Sequence, residues 1–223
     1  MSKNVVVITP HPDDETLGCG GTLLRHKYLG DSIYWLIVTG IHLKDGFTLD
    51  EVNRRMIEIQ NIKQIYGFES TISLDFQTAK LDCIPMDRLV RSIGDAFKDI
   101  NPQVVYVPFG GDIHTDHRIV FDAVSACTKW FRYSSIERVL AYETLSETEF
   151  GLNPSSNSFR PNVFINIENH IEKKIEAMKI YSSEMGEFPF PRSEHTIRAL
   201  ASLRGSTAGC RAAEAFMLLK EIL

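Results

Sequence analysis

The sequence predicts an α/β protein, with a mostly parallel sheet covered by helices on both faces, in one domain over residues 1–223. Two observations carry this. Short β-branched runs alternate with longer amphipathic stretches as far as residue 142, the pattern of successive βαβ crossovers. A chain of 223 residues, 43% hydrophobic and 24% charged, also has the apolar content to fill one large core.

The elements follow in order. Residues 5–9 (Val-Val-Val-Ile-Thr) read as a buried strand bounded by Pro10 and Pro12. Residues 15–29 read as a helix closed by Gly30-Asp31, and 32–39 as a second strand. A helix over 49–66 stops at Gly67, where a glycine at positive φ ends helices well. A short strand at 71–74, a helix at 86–100 and a strand at 103–107 come next, the last running into Pro108 and Gly110-Gly111. A helix over 115–132 and a fifth strand over 136–142 complete the regular part. Beyond it the pattern loosens. Residues 151–160, rich in Asn and Ser, read as a loop, 162–167 as a late strand and 168–182 as a helix. An extended linker at 188–191 (Phe-Pro-Phe-Pro) precedes a helix over 193–203, a break at Gly205 and Gly209, and a final helix over 211–222. Packed on one sheet, these elements give a Rossmann-like architecture.

Composition excludes several function classes. No stretch approaches the roughly 18 apolar residues of a membrane span, and the apolar run after Met1 is too short for a signal peptide, so a cytoplasmic setting is expected. A net charge of -5 and a pI near 5.8 argue against a nucleic-acid binder. The four cysteines (Cys19, Cys83, Cys127, Cys210) are scattered without a C-x-x-C, which points to neither a disulfide framework nor a zinc knuckle.

Ligands in open α/β sheets bind beyond the carboxyl ends of the strands. Two such ends are crowded with metal-type ligands: Pro10-His11-Pro12-Asp13-Asp14-Glu15 after the first strand, and Asp112-Ile113-His114-Thr115-Asp116-His117-Arg118 after the strand that ends at Val107. If a helix starts near Asp13, adjacent residues point about 100° apart, so Asp13 and Asp14 divide two jobs, one on a metal and one facing its water. His114 and His117 are three apart and share a helical face. Catalytic zinc takes three His or carboxylate ligands and keeps one position for water. The bland reading of the Asp pair is a helix N-cap beside a dipole-favoured acid, and of His114 a surface histidine.

Together the two clusters resemble the PIG-L / LmbE-like N-acetylglucosaminyl deacetylase family, whose signatures are (P/A)-H-P-D-D-E after the first strand and H-x-D-H after a later one. Weaker similarities run through Arg55-Met-Ile-Glu58, Lys174–Ser183, Arg204–Gly209 and Ala213-Glu-Ala-Phe216. The resemblance implies one catalytic Zn²⁺ on His11, Asp14 and His117. It makes Asp13 the general base for the water on that metal, and His114 a second acid or oxyanion stabiliser oriented by Asp116. Arg55 would bind substrate hydroxyl or phosphate groups. The implied reaction removes the acetyl group from an N-acetylated amino sugar within a larger conjugate, and family members often assemble as trimers or hexamers. Two positions depart from the pattern. Asp112 stands where some members carry a tyrosine, and Asp75, near where many place a sugar-contacting Asp, aligns too ambiguously to inherit that role.

Other residues carry less. Gly18-Cys19-Gly20-Gly21 lacks the G-x-G-x-x-G spacing of a dinucleotide loop and reads as close packing of the first helix around a buried Cys19. His26, His170 and His195 read as surface groups, while His42 follows the second strand and can line a cleft. Phe188, Phe190, Arg192 and Arg204 are candidates for a substrate rim, and the arginines hint at an anionic, phosphate-linked conjugate. The rival readings are a signalling receiver domain, which lacks its Lys after strand five here, a zinc hydrolase of another amide or a phosphoester, and a silent sugar-binding relative.

Overall fold

The computed structural model describes residues 2–152 and 158–223. Its first strand, β1 (Asn4–Thr9), has no polar face. Val5 and Val7 enter one apolar layer while Val6 and Ile8 enter the opposite one, as expected of a strand buried on both sides. Around it, β2 (Ser32–Gly40), β3 (Ser70–Gln77), β4 (Val104–Pro108) and β5 (Arg138–Tyr142) pair in parallel, and β6 (Val163–Asn166) and β7 (Ala213–Glu221) extend the same sheet antiparallel. The order is β3-β2-β1-β4-β5-β7-β6. Helices α1 (Asp14–Tyr28), α2 (Leu49–Tyr66), α5 (Ile171–Met178) and α6 (Glu194–Ala208) cover one face, and α3 (Met86–Ile100) and α4 (Thr115–Ala126) the other. The strand order reverses between β1 and β4, so a crevice opens at their carboxyl ends.

The expected final helix over 211–222 is wrong: Ala213–Glu221 is β7. Its Ala, Glu, Met, Leu and Lys residues are strong helix formers, but the open edge of β5 offers a ladder of backbone partners. Alternation then puts Glu214 and Phe216 to use, Phe216 pairing with Tyr142 on β5 and Val163 on β6. Smaller differences concern ends. Helix α4 stops at Ala126, and α5 is limited to Ile171–Met178. Helix α6 passes through Gly205 and ends at Gly209, whose φ of 73° is the glycine conformation that terminates helices. The stretch 188–191 forms tight turns, with Phe190 N donating to Glu187 O and Ser193 N to Phe190 O. Part of the expected loop at 151–160 lies outside the described residues.

Helix α1 lies against the sheet without side-chain spacers. A Cβ on Gly21 would come within 2.6 Å of Ile167, which is why the glycine run is a packing device. Two distant segments lock this helix. Glu214 on β7 accepts from the N–H groups of Gly21 (2.9 Å) and Thr22 (2.7 Å), and Lys174 on α5 donates to Glu214 (2.7 Å) and to Leu17 O (2.8 Å). Both side chains are buried. Breaking one partner of such a pair strands a charge, at a cost of about 3–5 kcal/mol. Lys174→Met therefore lowers the unfolding free energy by about that amount in chemical denaturation, and adding Glu214→Gln restores part of it. A double variant no better than the single one would show that the charge is not what matters.

Candidate active site

The chain leaving β1 is pinned before it turns. Thr39 on β2 donates to Pro10 O through both its backbone N–H (3.0 Å) and its hydroxyl (2.7 Å). Asp14 Oδ2 accepts from His11 N (2.9 Å), and the fully buried Glu15 accepts from Asp13 N (3.0 Å). Between these clamps Asp13 takes φ 136°, a region L-residues avoid. It stands at the N-cap position of α1, yet its side chain caps nothing; it points into the crevice, where Arg192 Nη1 lies 3.2 Å away. The bland N-cap reading is therefore rejected, and strain held in place by neighbours is the mark of a functional position.

Glu15 in turn is braced by the hydroxyls of Thr16 (2.6 Å) and Tyr181 (2.9 Å). Burial pushes its carboxyl up to about 7. The Lys174–Ser183 stretch is thereby explained: Lys174 holds the middle of α1 and Tyr181 its beginning.

From β4 the chain passes Asp112 and enters α4 with His114 as N-cap, its Nδ1 accepting from Asp116 N (3.1 Å). One turn on, His117 meets the β1 cluster. His117 Nε2 lies 3.4 Å from Asp14 Oδ1, and His11 Nδ1 lies 3.5 Å from Asp14 Oδ2. A tetrahedral zinc site with ligands at about 2.0–2.2 Å has edges of about 3.3–3.6 Å, so these spacings suit one small cation. The donor atoms also permit a second triad, His11, His114 and Asp116. The outer hydrogen bonds favour the first. His117 Nδ1 faces Asp112 Oδ2 at 2.8 Å, and His11 Nε2 faces Asp116 Oδ2 at 3.2 Å, so each imidazole has a carboxylate behind the nitrogen that points away from Asp14. That is the usual support of a metal-binding histidine. Asp116 is further occupied by Ala79 N (2.7 Å) and Leu81 N (3.3 Å).

Asp116, expected to orient His114, donates its backbone N–H to His114 Nδ1, while its carboxylate backs His11. Asp112, expected only as a departure from the family pattern, backs His117 and is itself fixed by the Thr148 hydroxyl (2.6 Å). Spacing alone does not reveal this pair, because a turn separates Asp112 from the helix that carries His117. Asp112→Asn removes the negative charge and one of the two acceptor oxygens, both of which are in use, while keeping the shape, and weakens divalent-metal affinity by about 10–100-fold. Titration of the metal-free protein with Co²⁺ against a competing chelator reads this directly; unchanged affinity would remove Asp112 from the site.

The electrostatics describe a place for positive charge. Burial opposes protonation of His11, but hydrogen bonds to Asp116 and Asp14 outweigh it and raise the ring to about 9. His117 is likewise raised despite burial, by Asp14 and Asp112. Asp14, although buried, is held far below the usual carboxylate range by His117 and His11. The three groups thus stabilise positive charge collectively, and a metal ion held there would replace the protons on the two rings. Asp13 moves the opposite way, raised by burial, Asp14 and Glu184 against the pull of Arg192. His114 is pushed down to about 4 by burial and by His11 and His117.

A cavity of about 530 Å³ opens over this cluster, lined by His11, Asp13, Asp14, His114 and His117 among others. Arg55 reaches it, with Nη1 on Pro12 O (2.6 Å) and Nη2 on Glu184 (2.7 Å). Glu184 also meets Arg192 at 3.3 Å, a connection the sequence did not suggest. Asp75 lines the cavity, its Oδ1 lying 2.8 Å from His42 Nε2. Arg204 turns away from it into a bidentate pair with Glu143 (2.8 and 2.6 Å). His26, expected on the surface, is part-buried between Asp31 (2.7 Å) and the Tyr106 hydroxyl (2.9 Å). No helix among the described residues is long and apolar enough to cross a membrane.

Comparison with known proteins gives a consistent picture. A family model described as PIG-L, GlcNAc-PI de-N-acetylase, matches residues 6–128, which include both ligand clusters. The diacetylchitobiose deacetylase of Thermococcus kodakarensis is 29% identical over 95% of this chain and 81% of its own length. The conserved protein TT1542 of Thermus thermophilus superposes with a TM-score of 0.77 at 26% identity, over 100% of this chain and 97% of that one. The 4-carboxy-2-hydroxymuconate hydratase GalB of Pseudomonas putida shares the fold, with a TM-score of 0.76 at 17% identity over 99% of this chain and 98% of that one.

Proposed function

Because the chain belongs to the PIG-L, GlcNAc-PI de-N-acetylase family, we propose that it is a metal-dependent hydrolase that removes the acetyl group from an N-acetylated amino sugar in a small-molecule conjugate. The observation that carries this is Asp13, strained, buried and aimed into the crevice beside the His11, Asp14 and His117 triad. GalB shows that the fold alone accommodates a hydratase, so the side chains of the site decide the chemistry.

An amide is a poor electrophile with a poor leaving group. Its hydrolysis needs an activated water, stabilisation of the oxyanion and a proton for the departing nitrogen. Zn²⁺ on His11, Asp14 and His117 fits the N/O donor set, and when bound it supplies Lewis acidity and a water acidic enough to react near neutrality. Asp13, made more basic by burial and by Asp14, accepts a proton from the attacking water and later returns it to the nitrogen. Arg192 holds that carboxylate in place. His114 uses Nδ1 as an acceptor for Asp116 N, so its neutral ring carries the proton on Nε2, a donor for the developing oxyanion. Asp112 and Asp116 fix the tautomers of His117 and His11. Arg55 contributes the wall on which sugar hydroxyls rest. This reading also carries a homo-oligomeric (trimeric or hexameric), cytoplasmic protein.

The test is an acetate-release screen of the purified, zinc-loaded protein across N-acetylglucosamine conjugates, with metal content measured in parallel. Acetate release that a chelator abolishes and zinc restores supports the reading. Phosphate release without acetate would transfer the same site to phosphoester chemistry.

A further inference from the structure

The cavity has two walls of different chemistry. The metal-ligand side is polar, whereas the end of β2 and the start of α2 contribute Ile37, Ile41, Phe47, Val52, Met56 and Ile59. Met56 is 64% exposed, so this apolar wall continues from the buried site out to solvent. A group attached to the reacting sugar has to leave the cavity past such a surface.

Charge narrows the choice further. Five carboxylates line the cavity, Asp13, Asp14, Asp75, Glu147 and Glu184, against two guanidinium groups. Both guanidinium groups are already committed. Arg55 serves Pro12 O, Glu184 and Glu58, and Arg192 serves Asp13 and Glu184. Even with a divalent ion in place the walls carry no net positive charge. Desolvating a phosphate there brings no compensating partner, whereas an apolar group gains by leaving water. Arg204, the remaining rim candidate for an anion, is neutralised by Glu143 outside this cavity.

Resting on the deacetylase reading, we infer that the substrate is an N-acetylamino sugar carrying a neutral, apolar aglycone, aryl or alkyl, seated against Ile41, Phe47, Val52 and Met56, and not a phosphate-linked conjugate.

The experiment compares kcat/KM for acetate release by the zinc-loaded protein from phenyl and octyl N-acetylglucosaminides, N-acetylglucosamine 1-phosphate and UDP-N-acetylglucosamine. The apolar glycosides are expected to exceed both phosphate-linked compounds by about tenfold or more. Met56→Asp, at an exposed position where folding is undisturbed, and Phe47→Ser are each expected to reduce that ratio by about tenfold, mainly through KM. Equal or better turnover of the phosphate-linked pair, or a ratio that neither variant moves, overturns the inference while leaving the deacetylase reading intact. Acetate from none of the four also overturns the inference, and the deacetylase reading falls with it only if the wider screen of N-acetylglucosamine conjugates releases no acetate either.

Discussion

Asp13→Asn is expected to lower kcat by about 10²–10⁴-fold, the range of a lost general base, while metal content stays at the parent level. An amide has the carboxylate's shape but cannot accept the proton. The substitution keeps the size and branching of the side chain, so it adds no new steric demand on the positive φ held at this position. The neighbouring clamps remain, because the Asp13 N–H bond to Glu15 uses backbone and not the changed side chain. Steady-state acetate release, metal analysis and circular dichroism together decide the matter. A variant that keeps near-parental kcat would remove Asp13 from the chemistry, and one that loses its metal would make it a ligand.

His114→Ala is expected to cost about 10²–10³-fold in kcat, as for the loss of one oxyanion donor, again with metal retained. The ring stands beside the triad, its centroid 4.6 Å from that of His11, but its Nδ1 is used by the Asp116 N–H. Losing that cap at the start of α4 costs about 0.5–2 kcal/mol of stability, which a thermal melt resolves from the kinetic effect. The pH profile separates donor from acid. A ring pushed down to about 4 is neutral throughout pH 6–8, so it has no proton to lose across that interval. Parent and variant should therefore show profiles of the same shape there, displaced in magnitude. An acid-to-neutral transition present only in the parent would make His114 a general acid, and loss of metal would place it in the coordination sphere.

Much of this site was legible before any folding was considered. His11, Asp13 and Asp14 follow a strand whose uniform β-branched character marks it as central, and His114 and His117 follow a second strand of the same kind. Strand ends face the crevice of such a sheet, so the two clusters were bound to approach one another. The outer layer was not legible. Asp116 backs His11 across 105 positions of sequence, and Asp112 backs His117 around a turn. Glu184 and Arg192 reach Asp13 and Arg55 from a segment that reads only as an irregular connection. Such bonds depend on where side chains end in space, which no periodicity encodes. The strand at Ala213–Glu221 was missed for the complementary reason, since its intrinsic preference is helical and only the vacant edge beside β5 and β6 reverses it.

By itself, the order of residues determined the layered α/β architecture and the ligand types at two strand ends, because burial pattern and donor chemistry are local properties. Tertiary structure alone decided which carboxylate supports which imidazole, that the cavity's arginines are already paired, and that its outer wall is apolar. Those outcomes depend on angles and distances between segments far apart in the chain, and they exist only once the sheet has brought those segments together.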